Sequence, residues 1–105
     1  MSITRYDKLV RDKIPEYLRK KELVVTTHVA DNTEYAQKLR EKLVEEAKEF
    51  EADPSVEELA DVLEVLDALT HYYRFTKEQV TSVKQQKSAR RGKFDDRIIL
   101  ESVTE

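Results

Sequence analysis

The tripeptide Asp53-Pro54-Ser55 separates two stretches whose apolar residues recur at helical spacing, and this break constrains the fold more than any other feature. Before it, Tyr35, Leu39, Leu43 and Phe50 return to one side of a helix. After it, Leu59, Val62, Leu63, Leu66 and Leu69 cover a broad face that Val65, Ala68 and Tyr72 extend. Proline stops the first helix, and Ser55 followed by Glu58 has the spacing of a capping box for the second. Asp31, Asn32 and Thr33 supply N-caps for the first, which is expected to run to Ala52; the second is expected over 56–74. One glycine and two prolines in 105 residues favour long helices over a turn-rich sheet. The predicted fold is all-α, with two principal antiparallel helices joined by a tight turn.

The flanks add smaller pieces. Residues 14–22, IPEYLRKKE, read as a short helix with Pro15 in its first turn. The β-branched run VVTTHVA at 24–30 breaks the helical pattern and reads as an extended segment or a small strand. Thr76 with Gln79 repeats the capping signal and opens a weaker helix expected to reach Ala89, before Gly92. FDDRIILESVTE then suggests a short extended or docked tail. The length suits a single domain over 1–105, and the wide apolar face of the second long helix asks for cover on more than one side. A second copy of the chain is a natural source of that cover, so a homo-oligomer is expected.

With no cysteine, disulfides, thiolate zinc sites and cysteine nucleophiles are excluded. No apolar run has the length of a signal peptide core or a membrane span, and a cytoplasmic protein is expected. Charge is segregated. Residues 41–67 carry eleven Asp or Glu against Lys42 and Lys48, whereas residues 74–97 carry eight Lys or Arg against three acids. The split suits a site in which cations neutralise an acidic patch while basic groups meet an anionic substrate.

Within the acidic segment, Glu46 falls within about 20° of Leu39 on a helical projection, and Glu49 lies about 60° further round. Glu45 lies further toward the polar side. On the second helix Glu58 and Asp61 stand at i and i+3, sharing a face with Val65, Ala68 and Tyr72. Antiparallel pairing across the turn sets Glu46 and Glu49 opposite Glu58 and Asp61. Carboxylates brought together in this way repel unless a cation or protons compensate. Oxygen donors without sulfur or a histidine pair favour Mg²⁺, or Mn²⁺ in its place, and Mg²⁺ commonly completes its shell with substrate phosphates. Spacing alone leaves two other readings open: scattered surface acids, and ion pairs to the basic segments.

Lys8, Arg11 and Lys13 ahead of the first helix, and Lys84, Lys87, Arg90, Arg91 and Lys93 near the end, are candidate phosphate contacts, with a solvated helix face as the alternative. Asp12 is placed to pair with a neighbouring base or to support the site from outside. Nucleic-acid binding is disfavoured by a net charge of −3 and by the lack of an aromatic platform among the basic residues.

The pattern EEAKE at 45–49 followed by ELAD at 58–61 resembles the EExxE and ExxD motifs of the MazG-like all-α nucleoside triphosphate pyrophosphohydrolases. YDKLVRDKIPEYL near the start and KSARRGKFDDRIILE near the end are similar to small stand-alone members described as phosphoribosyl-ATP pyrophosphohydrolase-like. The resemblance implies hydrolysis of the α–β phosphoanhydride to a nucleoside monophosphate and pyrophosphate with Mg²⁺, in dimers or tetramers. It also implies metal ligation by Glu46, Glu49, Glu58 and Asp61, with Glu45 orienting or deprotonating water. The link between the motifs is short for the family, which removes an excursion that could shape a base pocket. General removal of unwanted nucleotides is therefore expected ahead of two alternatives: action on phosphoribosyl-ATP, and a non-enzymatic helical interaction module keeping the fold.

Overall fold

The computed structural model describes residues 2–105. It holds four helices, α1 (Ile14–Arg19), α2 (Asn32–Ala52), α3 (Val56–Tyr72) and α4 (Lys77–Arg91), with no strand among the described residues. The chain divides into two compact units: Met1–Tyr73 carries α1 to α3, and Arg74–Glu105 carries α4 and the tail.

Capping chemistry sets the helix boundaries. Asp31 accepts the Glu34 N–H at 2.9 Å to start α2, and Ser55 accepts the Glu58 N–H at 3.2 Å to start α3. Only the serine half of the expected box forms at Ser55, because the Glu58 carboxylate joins Glu46 of α2 and Asp61 of α3 instead of returning to the cap. At α4 the box closes fully, with Thr76 and Gln79 each accepting the other's backbone N–H.

α2 and α3 pack as an antiparallel hairpin. Its open end is closed by Tyr72, whose ring meets Tyr35 edge-on at 5.5 Å and whose hydroxyl donates to the Asn32 carbonyl. Nearer the turn, Glu46 faces Glu58 and Asp61. The side of α3 turned toward α2 is the line Glu58, Asp61, Val65, Ala68 and Tyr72, at alternating steps of three and four residues. Leu39 and Val65 are the fully buried apolar side chains of the hairpin. The leucine stripe therefore does not pack inside the chain: Leu59, Leu63 and Leu66 are exposed, Leu63 at 53%. Two helices bury one side of each other, and the Val65 line takes that side.

Several boundaries differ from expectation. α1 stops at Arg19, and residues 20–22 form a turn in which Glu22 adopts φ 62°. Residues 24–30 make no strand, and Val24 and Val29 are almost fully exposed. An extended run needs a neighbouring run to pair with, and none of the described residues supplies one. α3 ends at Tyr72, followed by Arg74 in the left-handed region at φ 59°. α4 continues two residues past Ala89, to where Gly92, at φ 81°, donates its N–H to the Ser88 carbonyl. No helix is long and apolar enough to cross a membrane among the described residues.

Candidate metal centre

Glu46 lies on the apolar stripe of α2 and is 6% accessible. One oxygen from each of Glu46, Glu58 and Asp61 lies within 4.8 Å of the other two. The Oε2 atoms of Glu46 and Glu58 are buried without a hydrogen-bond partner. A buried carboxylate oxygen left unpaired is costly, and a native site normally compensates it with a proton or a cation. Around an octahedral Mg²⁺ neighbouring ligand oxygens stand about 3 Å apart and opposite ones about 4.2 Å, so the three side chains would have to draw closer together to share this ion. The donor set, oxygen alone, also suits Mg²⁺ or Mn²⁺.

The electrostatics agree with this geometry. Burial pushes the Glu46 carboxyl above its usual range, the Lys42 ammonium opposes, and the neighbouring Glu49 charge pushes it up again. Glu49 is thus within electrostatic reach of Glu46, but it is exposed and stands outside the group of three converging oxygens. Of the four ligands expected from sequence, three converge and the fourth borders them.

Glu45 is engaged differently. Its Oε1 accepts from Lys8 Nζ at 2.7 Å, and its Oε2 lies 3.2 Å from Lys42 Nζ. Burial alone would raise its pKa, yet the bonds from Lys8 and Lys42 outweigh this and hold it below the ordinary carboxylate value. The same Glu45 bond raises the Lys8 ammonium, against a smaller opposing effect of burial. A carboxylate held by two ammonium groups is a weaker base.

Lys42 was not foreseen. It lies 3.2 Å from Glu45 and 3.4 Å from Glu46, bridging a metal-ligand candidate and its neighbour. The signal was present in the sequence, since Lys42 stands at i−3 and i−4 from these acids, where side chains on a helix meet.

Among the expected phosphate contacts, Arg11 reaches the cluster: its Nη2 is 2.8 Å from Asp61 Oδ1 and its Nη1 3.4 Å from Glu64 Oε1. Asp12 and Lys13 are exposed and make no ion pair among the described residues; Lys13 is the N-cap residue of α1 without a side-chain capping bond. Lys84, Lys87, Arg90 and Arg91 are exposed on α4, and Lys93 follows its C-cap, all within the second unit. A small cavity of about 50 Å³ lies beside the cluster, lined in part by Lys8, Lys38, Lys42 and Glu45. It is far below the roughly 300 Å³ of a small-ligand pocket, so it does not hold a nucleotide base.

No protein-family model matches this chain, and neither a curated protein nor a solved structure is significantly similar to it.

Proposed function

We propose that this chain is a Mg²⁺-dependent nucleoside triphosphate pyrophosphohydrolase of the MazG-like all-α type, acting in the cytoplasm on the nucleotide pool. The observation that carries the reading is Glu46, a buried carboxylate whose unpartnered Oε2 belongs to a trio of acids built from two helices. Such an arrangement is unfavourable as mere packing and sensible as a cation site. The order of the acids, EEAKE and then ELAD, supports the family reading.

In this reading Glu46, Glu58 and Asp61 hold the cation, and Glu49 joins them from the rim. A bound Mg²⁺ would polarise the phosphate oxygens and lower the pKa of an attacking water. Glu45, fixed by Lys8 and Lys42, orients that water. The oxygen of water joins phosphorus, the bridging P–O bond of the α–β anhydride breaks, and monophosphate and pyrophosphate leave. Arg11 and Lys8 supply positive charge to the phosphates.

The chain acts as a homo-oligomer. It leaves 10225 Å² accessible, against about 6,100 Å² for a compact monomer of 12.4 kDa. Even two separate compact bodies of these unit sizes would leave only about 7,300 Å². The outward leucines of α3 are the natural face for a second copy, which would also supply the walls of a base pocket. The same face favours a second reading, a helical interaction module without catalysis.

A panel of canonical and modified nucleoside triphosphates, assayed with and without Mg²⁺ and with both products identified, tests the proposal. Monophosphate plus pyrophosphate, dependent on Mg²⁺ and absent from Glu49→Gln, supports it. Turnover of none of the panel, together with metal-independent capture of a protein partner, favours the interaction module.

A further inference from the structure

Two of the cations that touch the acidic cluster come from one short segment of chain. Lys8 and Arg11 lie in the stretch leading into α1, and Lys38 on α2 anchors this stretch by donating to the Asp7 carbonyl at 2.7 Å. From there Lys8 reaches Glu45 on α2 and Arg11 reaches Asp61 and Glu64 on α3. The segment therefore spans the hairpin and lays one positive group on each helix beside the converging oxygens.

These two cations differ from Lys42. The Lys42 side chain is 16% accessible and belongs to α2 itself, so it is a fixed part of the site. The Arg11 side chain is 54% accessible. Exposed ion pairs contribute little and exchange readily. Asp61 is also one of the three acids whose oxygens converge, so its bond to Arg11 and a bond to a divalent ion compete for one carboxylate. A guanidinium and a divalent ion on the same group repel each other.

The formal charge supports an exchange. Glu45, Glu46, Glu49, Glu58, Asp61 and Glu64 contribute six negative charges, and Lys8, Arg11 and Lys42 three positive ones, leaving −3. One divalent ion offsets two of these. A polyphosphate arriving with the ion brings new negative charge, which the exposed Lys8 and Arg11 side chains are placed to meet. Arginine suits this role, because its planar donors match phosphate oxygens in pairs.

We propose that Arg11 and Lys8 are exchangeable counter-ions: they neutralise Asp61 and Glu45 until a divalent cation binds, and then turn to the anionic oxygens of a polyphosphate ligand. This deepens the proposed function and rests on the cluster being a divalent-ion site. Arg11 then opposes metal binding and promotes anion binding, so the two ligands bind with positive coupling that is reciprocal between them. Arg11 is a specificity device for metal-bound polyphosphate over free metal.

The test uses the full chain. Binding of Mn²⁺ alone is followed by the electron paramagnetic resonance of the free ion, and inorganic tripolyphosphate is then titrated calorimetrically as its Mn²⁺ complex in excess Mn²⁺. Arg11→Gln is expected to bind Mn²⁺ about two- to tenfold more tightly and the tripolyphosphate complex about tenfold more weakly, with Arg11→Lys in between. Lys8→Met is expected to show the same pair of signs and serves as the deciding variant should Arg11→Gln not fold. A purely structural tie would weaken both affinities together. Wild-type protein that fails to bind Mn²⁺ sinks the metal reading itself. Wild-type binding with no gain in Mn²⁺ affinity in the variants, or with no loss toward tripolyphosphate, overturns the exchange and leaves the metal site standing.

Discussion

The Tyr72 hydroxyl donates to the backbone carbonyl of Asn32 at 3.0 Å, tying the last turn of α3 to the first residue of α2. The bond closes the end of the hairpin opposite the Asp53-Pro54-Ser55 turn. Tyr72→Phe keeps the ring against Tyr35 and removes only the hydroxyl, and is expected to cost about 1 kcal/mol in denaturant unfolding. An unchanged midpoint would show that the carbonyl is satisfied equally well by water.

Leu39 and Leu63 are both leucines on the hairpin, yet one is 2% accessible and the other 53%. Leu39→Ala is expected to destabilise by about 2–5 kcal/mol whatever the protein concentration. Leu63→Asp leaves the internal core intact and is expected to dissociate the proposed homo-oligomer into monomers, read by light scattering coupled to gel filtration. Unaltered mass in that variant would remove α3's outer face from the interface.

In the proposed metal site, Glu46 would link cation binding to instability of the metal-free fold. Its pKa is raised by burial, so the folded chain holds this proton more tightly than the unfolded chain does. Its contribution is fully present below the unfolded carboxylate value and is lost as pH climbs through the raised folded value. Glu46→Gln removes the buried charge, and is expected to stabilise the metal-free protein by roughly 1 kcal/mol at neutral pH while flattening that pH dependence. Thermal melts across pH 4 to 8, in buffers with a chelator, check both effects.

In the proposed reading, divalent cation is expected to have the opposite influence on wild type. At a hundred times its Kd, Mg²⁺ is expected to add about 2.7 kcal/mol of stability, and chelation to remove it. Glu46→Gln and Asp61→Asn are expected to lose this gain. Equal stabilisation of both variants by Mg²⁺ would place the ion elsewhere.

Arg74 adopts φ 59°, a conformation that glycine reaches without steric cost. Arg74→Gly is expected to raise the unfolding midpoint by an amount equivalent to up to about 1 kcal/mol. A lower midpoint would mean that the arginine side chain contributes more than its backbone strain.

The hairpin was legible because its signals are local. The helical period, the Asp31, Ser55 and Thr76 caps and the proline stop each act within one or two turns, and all appear where the sequence places them. The meeting of Glu46 with Glu58 and Asp61 followed from the same short range, since a tight turn leaves one antiparallel register. The same pairing set the face of Glu58, Asp61 and Val65 toward α2, which is where Val65 is buried. What escaped was how far Leu59, Leu63 and Leu66, on the broad apolar face, would stay exposed. Glu58 was legible as a cap through its backbone, but the fate of its carboxylate also depended on Glu46 from the other helix. Lys8 and Arg11 drew notice as cations. Their bonds to Glu45 and Asp61 join positions 37 and 50 residues apart, beyond the reach of any periodicity.

Because the Asp53-Pro54-Ser55 turn is so short, the three converging acids fall between Glu46 and Asp61 in the chain. Closing so small a loop sacrifices little entropy, so these acids meet as early as the helices zip together. Their mutual repulsion therefore weighs on the folding barrier itself. A divalent ion that relieved it would be expected to speed the hairpin's formation as well as to strengthen it.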